Sequence, residues 1–137
     1  MWAVFALLSA VFAALTGIFA KLGMDGINSN LGTAIRTVVV LVMAWAIVFA
    51  TGKHTGISDI TTRGWVFLVL SGLATGLSWM CYFHALQIGE ASKVIPIDKF
   101  SVVISMVLAF LVLGEKITVT KILGGALIAA GTFVLIL

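Results

Sequence analysis

Residues 2–22 read WAVFALLSAVFAALTGIFAKL, and the only charge between Trp2 and Leu22 is Lys21. A helix needs about 20 mostly apolar residues to cross the ~30 Å hydrocarbon core of a bilayer, and this stretch supplies them. A secretory leader would carry a basic segment ahead of its apolar run. Here no Lys or Arg precedes the run and further runs of the same kind follow it, so it is expected to be the first permanent span. The rest of the chain agrees with that reading. Of its 137 residues 62% are hydrophobic and 9% charged, the mean hydropathy is +1.27, and a soluble domain would carry about 25% charged residues. The apolar runs lack the period-two alternation of barrel strands, and an open sheet would leave backbone groups unpaired in lipid. The expectation is an all-α, polytopic membrane protein with five transmembrane helices.

Working outward, the spans fall at about 2–22, 32–51, 64–88, 93–113 and 117–137, which makes residues 1–137 a single membrane domain with no separate soluble part. Gly23, Asp25, Gly26, Asn28 and Asn30 form the first turn, and Gly52 to Arg63 the longest aqueous loop, after which Trp65 marks an interface. Gly89-Glu90-Ala91-Ser92 is a tight hairpin with Ser92 as its expected N-cap, and Gly114-Glu115-Lys116 turns the chain into the fifth span. The net charge is +3, but the eight basic residues stand singly, so no nucleic-acid surface is expected. Cys81 is alone and forms no intrachain disulfide.

Three spans carry a narrow stripe of small and polar residues at helical spacing: Ser9, Ala13, Thr16 and Ala20; Ser71, Thr75, Ser78 and Tyr82; Asp98, Ser101, Ser105 and Ala109. Small residues let helices approach in lipid, which is sufficient reason for the first stripe. Tyr82 and Asp98 are too polar to be spacers alone, so the other two stripes read equally as packing or as the lining of an aqueous path. The fifth span holds Gly124, Gly125, Ala126, Ala129, Ala130 and Gly131. Gly124, Gly125, Ala129 and Gly131 are therefore candidates for close helix packing or dimerisation.

Arg36, Asp98 and Lys99 are charged groups in or near spans, where each costs a few kcal/mol unless protein or water shelters it. Adjacent residues project about 100° apart on a helix, so Asp98 and Lys99 are expected to find different partners, and Arg36 is one choice for Asp98. Lys99 has a stem long enough to snorkel. Pro96, the only proline, frees the carbonyl of Ser92 and is expected to bend the fourth helix near its start. His84 lies off the polar stripe and is a candidate to carry a proton, though a lone histidine is more often a satisfied hydrogen-bonder. Trp79 sits away from the interface, where it can stack on a substrate or fill a core. The candidate substrate pathway is thus Arg36, Ser71, Thr75, Ser78, Trp79, Tyr82, Asp98, Ser101 and Ser105, with Asp98, His84 and Lys99 as candidate proton- or ion-coupling groups. No nucleotide loop, zinc motif, nucleophile elbow or metal-ligand cluster is present, so no enzyme, cofactor or metal site is expected.

Short-loop Lys and Arg set the orientation of a helical membrane protein. Lys53, Arg63, Lys116 and Lys121 fall on the side of the N-terminus, and Lys21, Arg36, Lys93 and Lys99 on the other. That is an even division. A chain with no preferred insertion and an odd number of spans makes an inverted repeat only by pairing, so an antiparallel homodimer is expected, against the alternative of one uniform orientation.

The series Tyr82-Phe83-His84-Ala85-Leu86, Gly89-Glu90-Ala91-Ser92, Val94-Ile95-Pro96-Ile97, Leu113-Gly114-Glu115-Lys116 and Gly124-Gly125-Ala126-Leu127-Ile128-Ala129-Ala130-Gly131 resembles the EamA domain of the drug/metabolite transporter superfamily, and the whole chain fits one such domain. Arg36 also looks like the basic residue often found in the second span. The resemblance implies a secondary transporter, typically an exporter of a small-molecule substrate, as a multi-pass protein of a prokaryotic plasma (inner) membrane. Most relatives hold two inverted copies, so one copy implies half of an inverted-repeat transporter completed by a homodimer. The four-span small multidrug resistance relatives carry an essential glutamate in the first helix, and this chain has no acid there. Two rival functions remain: a lipid-linked headgroup flippase, and a non-transporting membrane scaffold or accessory subunit.

Overall fold

The computed structural model describes residues 1–137 and contains six α-helices, one 3-10 helix and no strand. They are α1 (Trp2–Gly23), α2 (Ser29–Ala50), the 3-10 turn (Lys53–Asp59), α3 (Thr62–Ile88), α4 (Ala91–Asp98), α5 (Ser101–Leu113) and α6 (Val119–Ile136). Five segments are long and apolar enough to cross a membrane, α4 and α5 together forming one of them, Ala91–Leu113. The all-α, five-span reading therefore holds.

Local chemistry explains the boundaries. Gly26 adopts φ +71°, which a side chain would disfavour, and lets the chain reverse after α1. The Asn28 side chain then accepts from the backbone N–H groups of Asn30 (2.9 Å) and Leu31 (3.4 Å). That cap starts α2 at Ser29, ahead of the boundary expected from apolarity alone. Thr61 Oγ1 accepts from the Gly64 N–H at 3.1 Å at the start of α3, and Thr118 Oγ1 from the Lys121 N–H at 3.3 Å at the start of α6. Gly114, at φ +67°, closes α5, with the Glu115 N–H reaching back to the Ala109 carbonyl at 3.3 Å.

Two details correct the sequence expectations. Glu90, with extended backbone, precedes the first turn of α4 in place of Ser92, and Ser92 lies inside the helix because the chain turns helical immediately after the hairpin. The interruption of the fourth span also lies beyond Pro96, where the N–H groups of Lys99 and Phe100 bond three residues back, to Pro96 (3.1 Å) and Ile97 (2.9 Å). Tightened i→i−3 turns of this kind end α4 at Asp98 and let α5 begin at Ser101.

The chain comprises two compact units, Phe19–Gln87 and Met1–Ile18 with Ile88–Leu137. In the Phe19–Gln87 unit the buried residues are Ala20, Met24, Phe83 and Leu86 with two hydroxyl residues, Ser29 and Thr33. In the other unit α6 lies against α4 and α5, burying Gly125 and Thr132. A methyl group at Gly125 would stand 3.5 Å from Met106 Sδ, an ordinary van der Waals distance, so Met106 packs directly on this point of α6. Thr132 Oγ1 donates to the Ile128 carbonyl at 2.9 Å, and the Phe100 and Phe133 rings meet edge-on at 6.3 Å. No more than 11% of any span window is buried within the chain, and large side chains such as Leu73 (61%) and Leu111 (68%) stand exposed. An apolar envelope of this extent suits lipid or another chain rather than water.

Candidate functional site

Asn28 sets the register of α2, and from that cap Ser29, Thr33 and Arg36 recur at spacings of four and three on one face. The Thr33 hydroxyl donates to the Ser29 carbonyl and the Thr37 hydroxyl to the Thr33 carbonyl, each at 2.8 Å, so these polar groups satisfy themselves along the helix. On α3, Trp79, Tyr82, Phe83 and Leu86 share a face by the same spacing. The two faces meet at Arg36: its Cζ lies 4.0 Å from the centroid of the Phe83 ring. Phe83 is 1% exposed and is held edge-on by Tyr82 at 5.0 Å and Trp79 at 6.4 Å. Arg36 Nη1 is buried with no hydrogen-bond partner. A cation over an aromatic face gains about 0.5–2 kcal/mol, which offsets only part of what a guanidinium loses on leaving water.

A second polar cluster fixes the adjoining end of the same unit. Lys21 Nζ donates to the Leu86 carbonyl at 2.6 Å and the Gln87 carbonyl at 3.3 Å, filling orphan acceptors in the last turn of α3. Gln87 Nε2 donates back to the carbonyls of Met24 and Ile27. Ser29 Oγ and His84 Nδ1 lie 3.4 Å apart. Lys21, Ser29, Phe83 and Gln87 were not singled out from sequence. Ser29 and Thr33 have a readable signal in their spacing to Arg36, whereas Lys21, Phe83 and Gln87 find partners far along the chain, Lys21 at Leu86, Phe83 at Arg36 and Gln87 at Met24.

The remaining predicted residues occupy more open places. Ser71, Thr75 and Ser78 are exposed along α3, and Thr75 Oγ1 donates to the Ser71 carbonyl at 2.8 Å. In the other unit, Asp98 Oδ2 and Lys99 Nζ lie 3.6 Å apart, which corrects the expectation of separate partners. The helix ends at Asp98, so Lys99 belongs to the turn and its four-carbon stem brings the ammonium back. Ser101 and Ser105 line a largely apolar groove of about 1020 Å³ with Trp2, Met106 and Gly125, and Lys116 and Lys121 stand among its lining residues. Lys121 is paired with Glu115 at 3.1 Å. Gly124 and Ala129 are half-buried on α6, and Gly131 is exposed.

Comparison with known proteins covers the full length. Residues 1–137 match the EamA-like transporter family. The chain is 53% identical over 134 residues to a protein from Sinorhizobium sp described as "Uncharacterized transporter in cobO 3'region", an alignment covering 98% of this chain and 95% of that one. No solved structure matches.

Proposed function

This chain belongs to the EamA-like transporter family, and we propose that it is a secondary exporter of a small metabolite in a prokaryotic plasma membrane, working as a dimer of five-helix units. The transporter assignment is the family's; the finer terms are our reading. The observation that supports them most is the meeting of Arg36 with Phe83, on which Tyr82 and Trp79 pack, a cationic and aromatic cluster within spans that are otherwise apolar. Pairing is supported by the exposed apolar envelope and by the even division of basic residues, which favours two oppositely inserted copies. Two such copies would rock about the bilayer midplane. The candidate pathway residues are Arg36, Ser71, Thr75, Ser78, Trp79 and Tyr82 in the Phe19–Gln87 unit and Asp98, Ser101 and Ser105 in the other. Asp98, Lys99 and His84 are the groups through which a proton or ion would be coupled.

The test is uptake by proteoliposomes of a metabolite panel with and without a pH gradient. The proposal expects Arg36→Gln and Asp98→Asn to lose flux while the purified dimer stays assembled. A scaffold or accessory subunit would show the reverse, altered assembly and no flux in any variant. A flippase for a lipid-linked headgroup is the second reading, favoured by the apolar groove that includes Lys116 and Lys121; it expects translocation of a lipid probe and none of the soluble panel.

A further inference from the structure

We propose that Arg36 receives an oxyanion, a carboxylate or phosphate borne by a small substrate with an aromatic or apolar body. This rests on the transport reading and names the chemical class of its substrate. The charges of the chain single out this residue. Of the five acids, Asp25 lies in the turn after α1 and Asp59 ends the 3-10 turn, Glu90 is matched with Lys93, Asp98 with Lys99 and Glu115 with Lys121. Among the bases, Lys21 is spent on the carbonyls of Leu86 and Gln87. Arg36 lies within a span, and its guanidinium rests on the ring of Phe83.

The geometry of that contact leaves work for the guanidinium. A cation–π contact uses the face of the group, whereas its N–H bonds lie in the plane and point outward from the edge. Phe83 therefore satisfies none of the donors, and Nη1 is both shielded and unpartnered. A planar fork held on one face, with an edge donor left unpartnered, suits two parallel hydrogen bonds to a carboxylate or phosphate, which would also supply the missing negative charge. The rings of Trp79 and Tyr82 pack on the same Phe83 ring and add aromatic surface to that cluster for the body of the ligand. An arginine present for packing alone would send its head to water. Arg36 is seven residues into α2, about 10 Å along the axis from Ser29, and its head rests on a buried ring instead.

A lipid phosphate would be recognised by the same donors, so the experiment separates the two sources. The full chain is purified in dodecyl maltoside, which has no phosphate, and titrated calorimetrically with benzoate, phenyl phosphate and uncharged benzamide. The expected result is saturable binding of at least one anion, with benzamide about tenfold weaker or worse. Arg36→Gln should lose the anion by a similar factor, Arg36→Lys should keep part of it, and Arg63→Gln, which changes a cation resting on Phe67 at 5.7 Å, should bind as the wild type. Size-exclusion and the thermal midpoint establish that each variant is folded, and Arg36→Lys carries the comparison should Arg36→Gln fail to fold. Binding of neither anion, equal binding of benzamide, an indifferent Arg36 variant, or equal loss in Arg63→Gln overturns the proposal. So does competitive loss of anion binding on adding phosphatidylglycerol, which would assign the site to a lipid headgroup. Because binding is read at equilibrium, absence of flux with charge-selective binding intact removes the transport reading alone. Flux of neutral or cationic compounds that Arg36→Gln leaves unchanged removes the oxyanion site alone.

Discussion

Phe83 carries the local organisation around Arg36, since three neighbours converge on one ring. Phe83→Leu keeps the bulk but deletes the quadrupole, and should cost about 1 kcal/mol, read as a lower thermal midpoint in detergent. Lys21 works by a different principle, as an ammonium set on the negative end of α3. Lys21→Met should likewise cost ~1 kcal/mol, with faster hydrogen exchange confined to the last turn of α3 and the start of α2. Residues of this kind were illegible in the sequence for a simple reason. A charge in an apolar run announces itself, as Arg36 and Asp98 did, but what answers it lies far along the chain. Adjacent residues point apart only while a helix continues, and the chain turns at Lys99, which brings its ammonium back to Asp98.

At the scale of the helix, apolarity locates a span and capping chemistry locates its ends. The five segments were legible because hydropathy is a sum over some twenty residues and tolerates local irregularity. The start of α2 was not, because one Asn side chain moves it; Asn28→Ala should cost about 1 kcal/mol and fray Ser29 to Leu31, visible by hydrogen exchange. The division of the fourth span was only half legible. Pro96 signalled a weakness, yet the interruption falls at Lys99 and Phe100, where tightened turns replace the regular ladder. Pro96→Ala restores a donor for the Ser92 carbonyl and should slow exchange through α4. If motion at this joint accompanies transport, the same variant lowers flux while raising the thermal midpoint. On α6, Gly125→Ala should be tolerated, because its methyl would meet Met106 at ordinary contact distance. Gly125→Leu overfills the contact and should cost about 1–3 kcal/mol.

For the whole molecule, the family and the membrane setting could be read from order and composition, since both are properties of the entire chain. Pairing between copies is not written in any one segment. The even split of basic residues leads to a sharp expectation: a reporter fused after Leu137 should be found on both sides of the membrane, and crosslinking in native vesicles should trap pairs. A reporter confined to one side removes dual insertion and leaves the transporter assignment untouched.

The helices are also of unequal reach. α3 has 27 residues and α6 has 18, which correspond to about 40 Å and 27 Å at 1.5 Å per residue. Within one hydrocarbon slab of ~30 Å the longer rod must lean or protrude, while the shorter one draws the surrounding leaflets inward. Acyl-chain length therefore becomes a dial on this protein. Vesicles made from short-tailed lipids relieve α6 and burden α3, long-tailed ones do the opposite, and a turnover rate that peaks between them would be the mark of that compromise.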